Sequence, residues 1–229
     1  MNSKTVVIIP AFNEENAVGK VVKAIPKDWV DKIIVVNNNS TDNTRAAAEQ
    51  EGAIVLDQTI KGYGNACLKG IGYVKSMKEK PNVIVFLDAD YSDYPEQLPE
   101  LVNPILEGGM DMVIGSRALG QREGGSMTFP QVFGNWLATR LIRLFYGYKF
   151  TDLGPFRAIR WDRLVELNMQ DKTFGWTVEM QVKAAKKKFK CTEVPMQYRN
   201  RIGKSKVSGT VYGTVMAGYK ILYTIFKYL

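Results

Sequence analysis

Histidine is absent from this chain of 229 residues, and cysteine occurs only twice, as Cys67 and Cys191. Triads containing histidine, histidine bases and histidine-ligated metals are thereby excluded. Two cysteines are also too few for a disulfide scaffold or a cysteine-based zinc site. Any metal must rest on oxygen ligands, which favours Mg²⁺ or Mn²⁺. A clean transmembrane segment is lacking as well, since the best candidate, Val207–Leu229, is interrupted by Lys220 and Lys227. The N-terminus runs straight into a strand-like segment, Thr5–Pro10, so no signal peptide is expected and the expected location is cytoplasmic. No internal repeat or low-complexity stretch is visible.

What is present is enough apolar material for a real core: 45% hydrophobic residues with 24% charged. The length suits one α/β domain or a domain with an appended lobe, and a single domain over residues 1–229 is expected. Charge divides that domain in two. Residues 1–120 carry 12 Lys/Arg against 16 Asp/Glu, a balance of −4, and residues 121–229 carry 19 against 7, a balance of +12. Nucleic acid, an anionic membrane surface or a phosphorylated substrate would each suit the basic half, as would a merely solvated basic face.

The first half alternates apolar runs with helical spacing. Strands are predicted at Thr5–Pro10, Asp31–Val36, Ala53–Leu56, Asn82–Leu87 and Asp111–Ile114, with helices at Glu15–Ile25, Thr41–Glu51 and Tyr63–Lys78. This alternation implies a mostly parallel sheet flanked by helices, whose ligands sit at the carboxyl ends of the strands. The second half reads as a loop at Gly120–Thr128 and an amphipathic helix at Gln131–Tyr148. A helix at Thr173–Lys188, a strand at Cys191–Tyr198, a basic loop at Arg199–Ser208 and a terminal helix at Val211–Leu229 follow.

The strand exits carry the chemistry. After the fourth strand comes Leu87-Asp88-Ala89-Asp90, two carboxylates suited to a hard divalent cation with phosphate oxygens, or else to capping the next helix near Pro95-Glu96. The first strand exits into Pro10-Ala11-Phe12-Asn13-Glu14-Glu15 and the second into Asn37-Asn38-Asn39-Ser40-Thr41-Asp42. Both offer short polar groups for a base and ribose, and Ser40 and Thr41 could equally cap a helix. Lys61-Gly62-Tyr63-Gly64-Asn65-Ala66 adds a weak phosphate-site signal that matches neither a Walker A loop nor a dinucleotide fingerprint.

Together, Ile9 to Glu14, Val36 to Thr44, Lys61 to Ala66, Leu87 to Asp90 and Gly115-Ser116-Arg117 resemble the family 2 glycosyltransferases with their Rossmann-like GT-A fold. The resemblance implies an inverting enzyme that uses a nucleotide-diphosphate sugar (UDP- or GDP-) and a divalent metal held by Asp88 and Asp90. Pro10, Ala11, Asn13, Glu14, Asn37, Asn38, Lys61, Asp88 and Ala89 would then bind the nucleotide sugar. Asn37 departs from the acid common at that position. Gly115-Ser116-Arg117, Thr151 to Arg157 and Arg201 to Lys206 further look like the dolichyl- or polyprenyl-phosphate sugar transferases. That likeness assigns Arg117 to the acceptor phosphate, and Arg201, Lys204, Ser205 and Lys206 to a basic loop closing over the site. Two departures stand out: DLGPFR where the subgroup often has Ser-Gly before Phe-Arg, and Ser92 in place of a metal-binding glutamine.

A phosphate monoester acceptor needs no histidine, because its second pKa of about 6 makes it anionic and nucleophilic at neutral pH. If the acceptor is instead a hydroxyl of a glycan or lipid, a carboxylate base is required, and Asp152 and Glu179 are the candidates, beside Asp90 and Arg117, which the resemblance implies are catalytic. Phe129–Tyr148, apolar and aromatic with Arg140 and Arg143, is patterned like a helix lying in a membrane interface, and Val211–Leu229 reads similarly. The expectation is a peripheral protein on the cytosolic membrane face, with room for a homodimer through its aromatic helices. A separate flippase or other membrane protein would have to move a lipid-linked product. Nucleic acid is not expected, since no binding motif accompanies the basic residues.

Overall fold

The computed structural model describes residues 4–203, 205 and 211–229, with Val211 and Tyr212 described through their backbone alone. Chain order is β1 (Thr5–Ala11), α1 (Val18–Ala24), β2 (Lys32–Asn37), α2 (Thr44–Gln50), β3 (Ile54–Asp57), α3 (Tyr63–Ser76) and β4 (Val83–Phe86). Then come α4 (Leu98–Leu106), β5 (Met112–Ser116), α5 (Phe129–Tyr146), β6 (Arg157–Arg160), α6 (Trp161–Leu167), α7 (Trp176–Lys186), β7 (Cys191–Pro195) and α8 (Val211–Lys227).

The β-branched run of β1 is buried over all seven residues. Such a run suits a central strand covered on both faces, and β1 lies between β2 and β4, parallel to each. The sheet among the described residues has seven strands in the order β3-β2-β1-β4-β6-β5-β7. Alternation along β1 sends Val6 and Ile8 into one core with α3, α5 and α7, and Val7 and Ile9 into a second core with α1 and α4. Both halves of the chain therefore build one sheet, an α/β fold with the predicted parallel framework.

One strand lies outside the predicted set. β6 runs antiparallel to both β4 and β5, between them. Its sequence, Arg-Ala-Ile-Arg, shows only two apolar residues between arginines, and an arginine reads as surface. Arg157 is nevertheless fully buried, because its guanidinium donates to the carbonyls of Leu153, Gly154 and Thr177. Helix α6 also goes unpredicted. Predicted helices begin late: α1 starts at Val18 and α2 at Thr44, because the polar residues ahead of them are used in tight loops at the strand ends.

The start of α3 is pressed against the segment before α7. A Cβ on Gly64 would meet the Asp171 carbonyl oxygen at 2.0 Å, whereas one on Gly72 would meet nothing within 4 Å. Gly64→Ala is therefore expected to lower stability by about 1–3 kcal/mol. Gly72→Ala, exposed within the same helix, should raise it by about 0.5–1 kcal/mol. Urea denaturation of the two variants side by side checks both signs.

Candidate active site

The ends of β1, β2 and β4 converge, and short polar residues tie them together. Asn13, in the left-handed region at φ 54°, accepts through its side-chain oxygen from the Thr41 amide (2.8 Å), and its own amide donates to Ser40 Oγ (3.0 Å). The Glu14 amide donates to Thr44 Oγ1 at 2.8 Å. Asn38 shapes the next loop: its Nδ2 donates to the carbonyls of Gln58 and Ile60, and its Oδ1 accepts from the Gly62 amide. Asn37 Nδ2 donates to Asp57 Oδ1 at 3.0 Å. Ser40 and Thr41 thus stitch loops together; α2 starts from Asn43 without a side-chain cap.

Asp88 and Asp90 do not cap a helix. α4 is entered through a short 3-10 turn at Pro95–Gln97 from Tyr94, with no side-chain cap. Asp88 Oδ1 accepts from the Tyr63 hydroxyl (2.9 Å), and Asp90 Oδ1 accepts from Ser92 Oγ (2.6 Å). Arg201 bridges two strand exits: Nη2 lies 2.6 Å from Glu14 Oε1, and Nη1 lies 3.1 Å from Asp90 Oδ2. The segment around it is clamped to the acidic loop by the Ile202 amide on the Asp90 carbonyl and by Arg199 stacked on Tyr91 and Tyr94. Burial, then the neighbouring charge of Asp90, pushes the Asp88 carboxyl up to about 7. Burial and the Asp88 charge hold the Asp93 carboxyl well above its ordinary range too, and its Oδ2 is buried without a hydrogen-bond partner.

Arg117 follows β5 and is clasped by Asp152, with Nε–Oδ2 of 2.8 Å and Nη2–Oδ1 of 2.6 Å. Burial opposes both charges, yet each partner outweighs it: the Asp152 carboxyl stays below its usual range and the Arg117 guanidinium above its own. Asp152 is itself fixed from behind, by the Glu193 carboxylate on its amide and by Gln181 Nε2 on its carbonyl. The Tyr198 ring lies under Arg117 at 5.1 Å.

A cavity of about 400 Å³ occupies the strand exits. Pro10, Ala11, Glu14, Asn38, Lys61, Asp88, Ala89, Asp90, Arg201 and Ser205 line it, all of them predicted site residues. A second cavity, of about 340 Å³, shares Asp88, Asp90, Arg201 and Ser205 with the first, adds Arg117, and runs on between Gly134 of α5 and Ala217, Gly218 and Ile221 of α8. Asn13 and Asn37 line neither cavity; they brace the loops that do. Lys204 and Lys206 lie outside the described residues.

The two candidate bases stand elsewhere. Asp152 is 1% exposed with its carboxylate held by Arg117. Glu179, fully buried, accepts from the amides of Gln170 and Asp171 and from the Tyr228 hydroxyl, and pairs with Lys183 at 2.6 Å; it lines neither cavity. Its placement ties α7 to Tyr228, just past α8. Sequence reading missed Tyr63, Asp93 and Tyr198 as parts of the site. Tyr63 sits inside a glycine-containing stretch singled out for its lysine, but nothing in the sequence pairs it with Asp88.

Removing one partner of the Arg117–Asp152 pair leaves a buried charge. Asp152→Asn is expected to cost about 3–5 kcal/mol of stability by urea denaturation at neutral pH. Because the folded carboxyl lies below its unfolded value, the pair's contribution is complete above the unfolded pKa of about 4 and fades as pH falls through the folded one. The wild-type and variant stabilities should therefore converge in acid.

The family model for glycosyl transferase family 2 matches residues 6–166. An uncharacterized glycosyltransferase of Mycobacterium tuberculosis is 32% identical over 214 residues, covering 92% of this chain and 93% of that protein. The undecaprenyl-phosphate mannosyltransferase of Micrococcus luteus is 31% identical, over 92% of this chain and 90% of its own length. Among solved structures, glucosyl-3-phosphoglycerate synthase from Mycobacterium tuberculosis, in complex with Mn²⁺, UDP-glucose and phosphoglyceric acid, superposes with a TM-score of 0.77 at 20% identity, covering 99% of this chain and 80% of that one. The matched residues span β1 to β6 and so include the strand exits and the Asp88–Asp90 pair, and the chain belongs to glycosyl transferase family 2.

Proposed function

We propose that the protein transfers a sugar from a UDP- or GDP-sugar to a polyprenyl phosphate at the cytosolic face of a membrane, with inversion at the sugar carbon. The observation that carries this reading is the pair of joined cavities. The first offers polar groups and Lys61 for a nucleotide diphosphate. The second starts at Arg117 and continues between α5 and α8 along small and apolar side chains, as a phosphate with a hydrocarbon tail requires. The relative in Micrococcus luteus is named for an undecaprenyl-phosphate acceptor, and one in Methanococcus voltae, 29% identical, for dolichyl phosphate.

Asp88 and Asp90 fit a divalent cation by their donor set. They are two hard oxygen donors side by side, and Asp88 has no ion-pair partner among the described residues. No group of three acidic or sulfur ligands occurs among those residues. Mg²⁺ or Mn²⁺ would therefore complete its shell with diphosphate oxygens and water, as Mg²⁺ in particular does readily. When bound, the metal supplies neutralisation of the leaving diphosphate.

The chain's own residues do the rest. Arg201 and Ser205, at the junction of the cavities, hold the donor phosphates. Arg117, fixed by Asp152, orients the acceptor phosphate so that one oxygen faces the sugar carbon. That oxygen is already anionic, so no base is called for. The placement of Asp152 and Glu179 agrees with this reading more than with transfer to a hydroxyl. The lipid product would pass to a separate flippase.

The test is sugar transfer from a panel of UDP- and GDP-sugars to undecaprenyl or dolichyl phosphate. A lipid product that vanishes with EDTA and in Asp90→Asn is expected. Arg117→Ala alone strands the Asp152 charge, so Arg117→Ala with Asp152→Asn is the better variant, with a loss of about 10²–10³-fold in turnover. Donor hydrolysis without lipid product in the wild type would overturn the acceptor assignment in favour of a hydroxyl on a glycan or lipid.

A further inference from the structure

A third cavity, of about 330 Å³, lies against another face of α5. It shares Met127 and Asn135 with the acceptor cavity but none of Asp88, Asp90, Arg117 or Arg201. Four cations meet on its wall: Arg122 from the loop after β5, Arg140 and Arg143 three residues apart on α5, and Lys149 just past that helix. None of the four forms an ion pair among the described residues. Arg122 points Nη1 at Met127 Sδ (3.3 Å), and the Arg140 guanidinium lies 5.8 Å from the Trp136 ring centre. The acid on the wall, Asp152, is already taken by Arg117.

Four like charges around one concavity repel each other, and an anion with several oxygen acceptors relieves that repulsion. The rim names the anion's attachment. Trp136 is 51% exposed, and Phe133 and Phe129 continue from it as a stacked aromatic ledge, 51% and 81% exposed. An aromatic ledge beside a basic hollow matches the boundary between acyl chains and phosphate in a bilayer. We infer that this cavity binds the phosphodiester headgroup of an anionic phospholipid and seats α5 on the membrane surface. This deepens the proposed function and rests on it only in placing the protein beside a bilayer.

The experiment is flotation of the intact protein with phosphatidylcholine vesicles, with and without phosphatidylglycerol. Arg140→Gln with Arg143→Gln is compared with Lys20→Gln and Lys23→Gln on α1, exposed residues across the sheet that remove the same charge. Expected is selective binding to the anionic vesicles, weakened roughly thirtyfold in the arginine variant at about fivefold per basic residue, and within about twofold of wild type in the lysine variant. Equal losses in the two variants would reduce the effect to diffuse charge, and unchanged binding in the arginine variant would remove the site; either overturns the inference. A parallel thermal-shift titration with inorganic phosphate separates the sources. If phosphate stabilises the wild type more than the arginine variant while vesicle binding does not differ, the cavity takes free phosphate and the lipid assignment falls. Vesicle binding is read without sugar transfer, so the failure of the acceptor reading and of this one remain distinguishable.

Discussion

Two carboxylates held side by side at the buried end of β4 are the constraint around which the rest of this structure is arranged. Burial and the neighbouring charge of Asp90 both disfavour the ionised form of Asp88, which is why its carboxyl is pushed up. The protein answers from four directions: Tyr63 from α3, Ser92 from the following turn, Arg201 from the far end of the chain, and the field of Arg117. Arg201 is separated from Asp90 by 111 positions of sequence, yet its guanidinium joins the β1 and β4 exits. The residual excess of negative charge is what a divalent cation and its diphosphate would find there.

A second buried charge network builds the acceptor side. Arg117 would be a poor resident of a site 12% exposed without the bidentate Asp152, and Asp152 would be a stranded buried charge without Arg117. Glu193, Gln181 and Arg157 then fix the segment from Thr151 to Arg157 through its backbone. Each of those three is a polar residue in or next to the core that hydrogen-bonds main-chain groups of this segment. Their task is to hold a loop still, and the Asp152 that the loop presents thereby preorganises Arg117.

The basic half of the chain is divided into parts that do different things. Arg157 is structural, Arg201 joins Arg117 of the first half at the joined cavities, and Arg122, Arg140, Arg143 and Lys149 surround a hollow of their own. A net charge of +12 over residues 121–229 cannot express this division, because charge counted along a chain carries no direction. Among the described residues no helix is long and apolar enough to cross a membrane.

The sequence by itself determined the parallel framework and the family. Continuous β-branched runs can be satisfied only in covered central strands, and ligand loops follow at their carboxyl ends. Pro10, Ala11, Glu14, Asn38, Lys61 and Asp88 to Asp90, which line one cavity, were therefore legible together before any geometry. Tertiary structure alone decided three things. It inserted Arg157–Arg160 as an antiparallel strand, since a buried arginine depends on carbonyls that distant turns supply. It turned Glu179 away from the cavities to tie α7 to Tyr228, just past α8, although its helix is predicted correctly. It also sorted the basic residues, because local pattern encodes which face of a helix is apolar, whereas the partner of each charge is fixed only when strands far apart in sequence pack side by side.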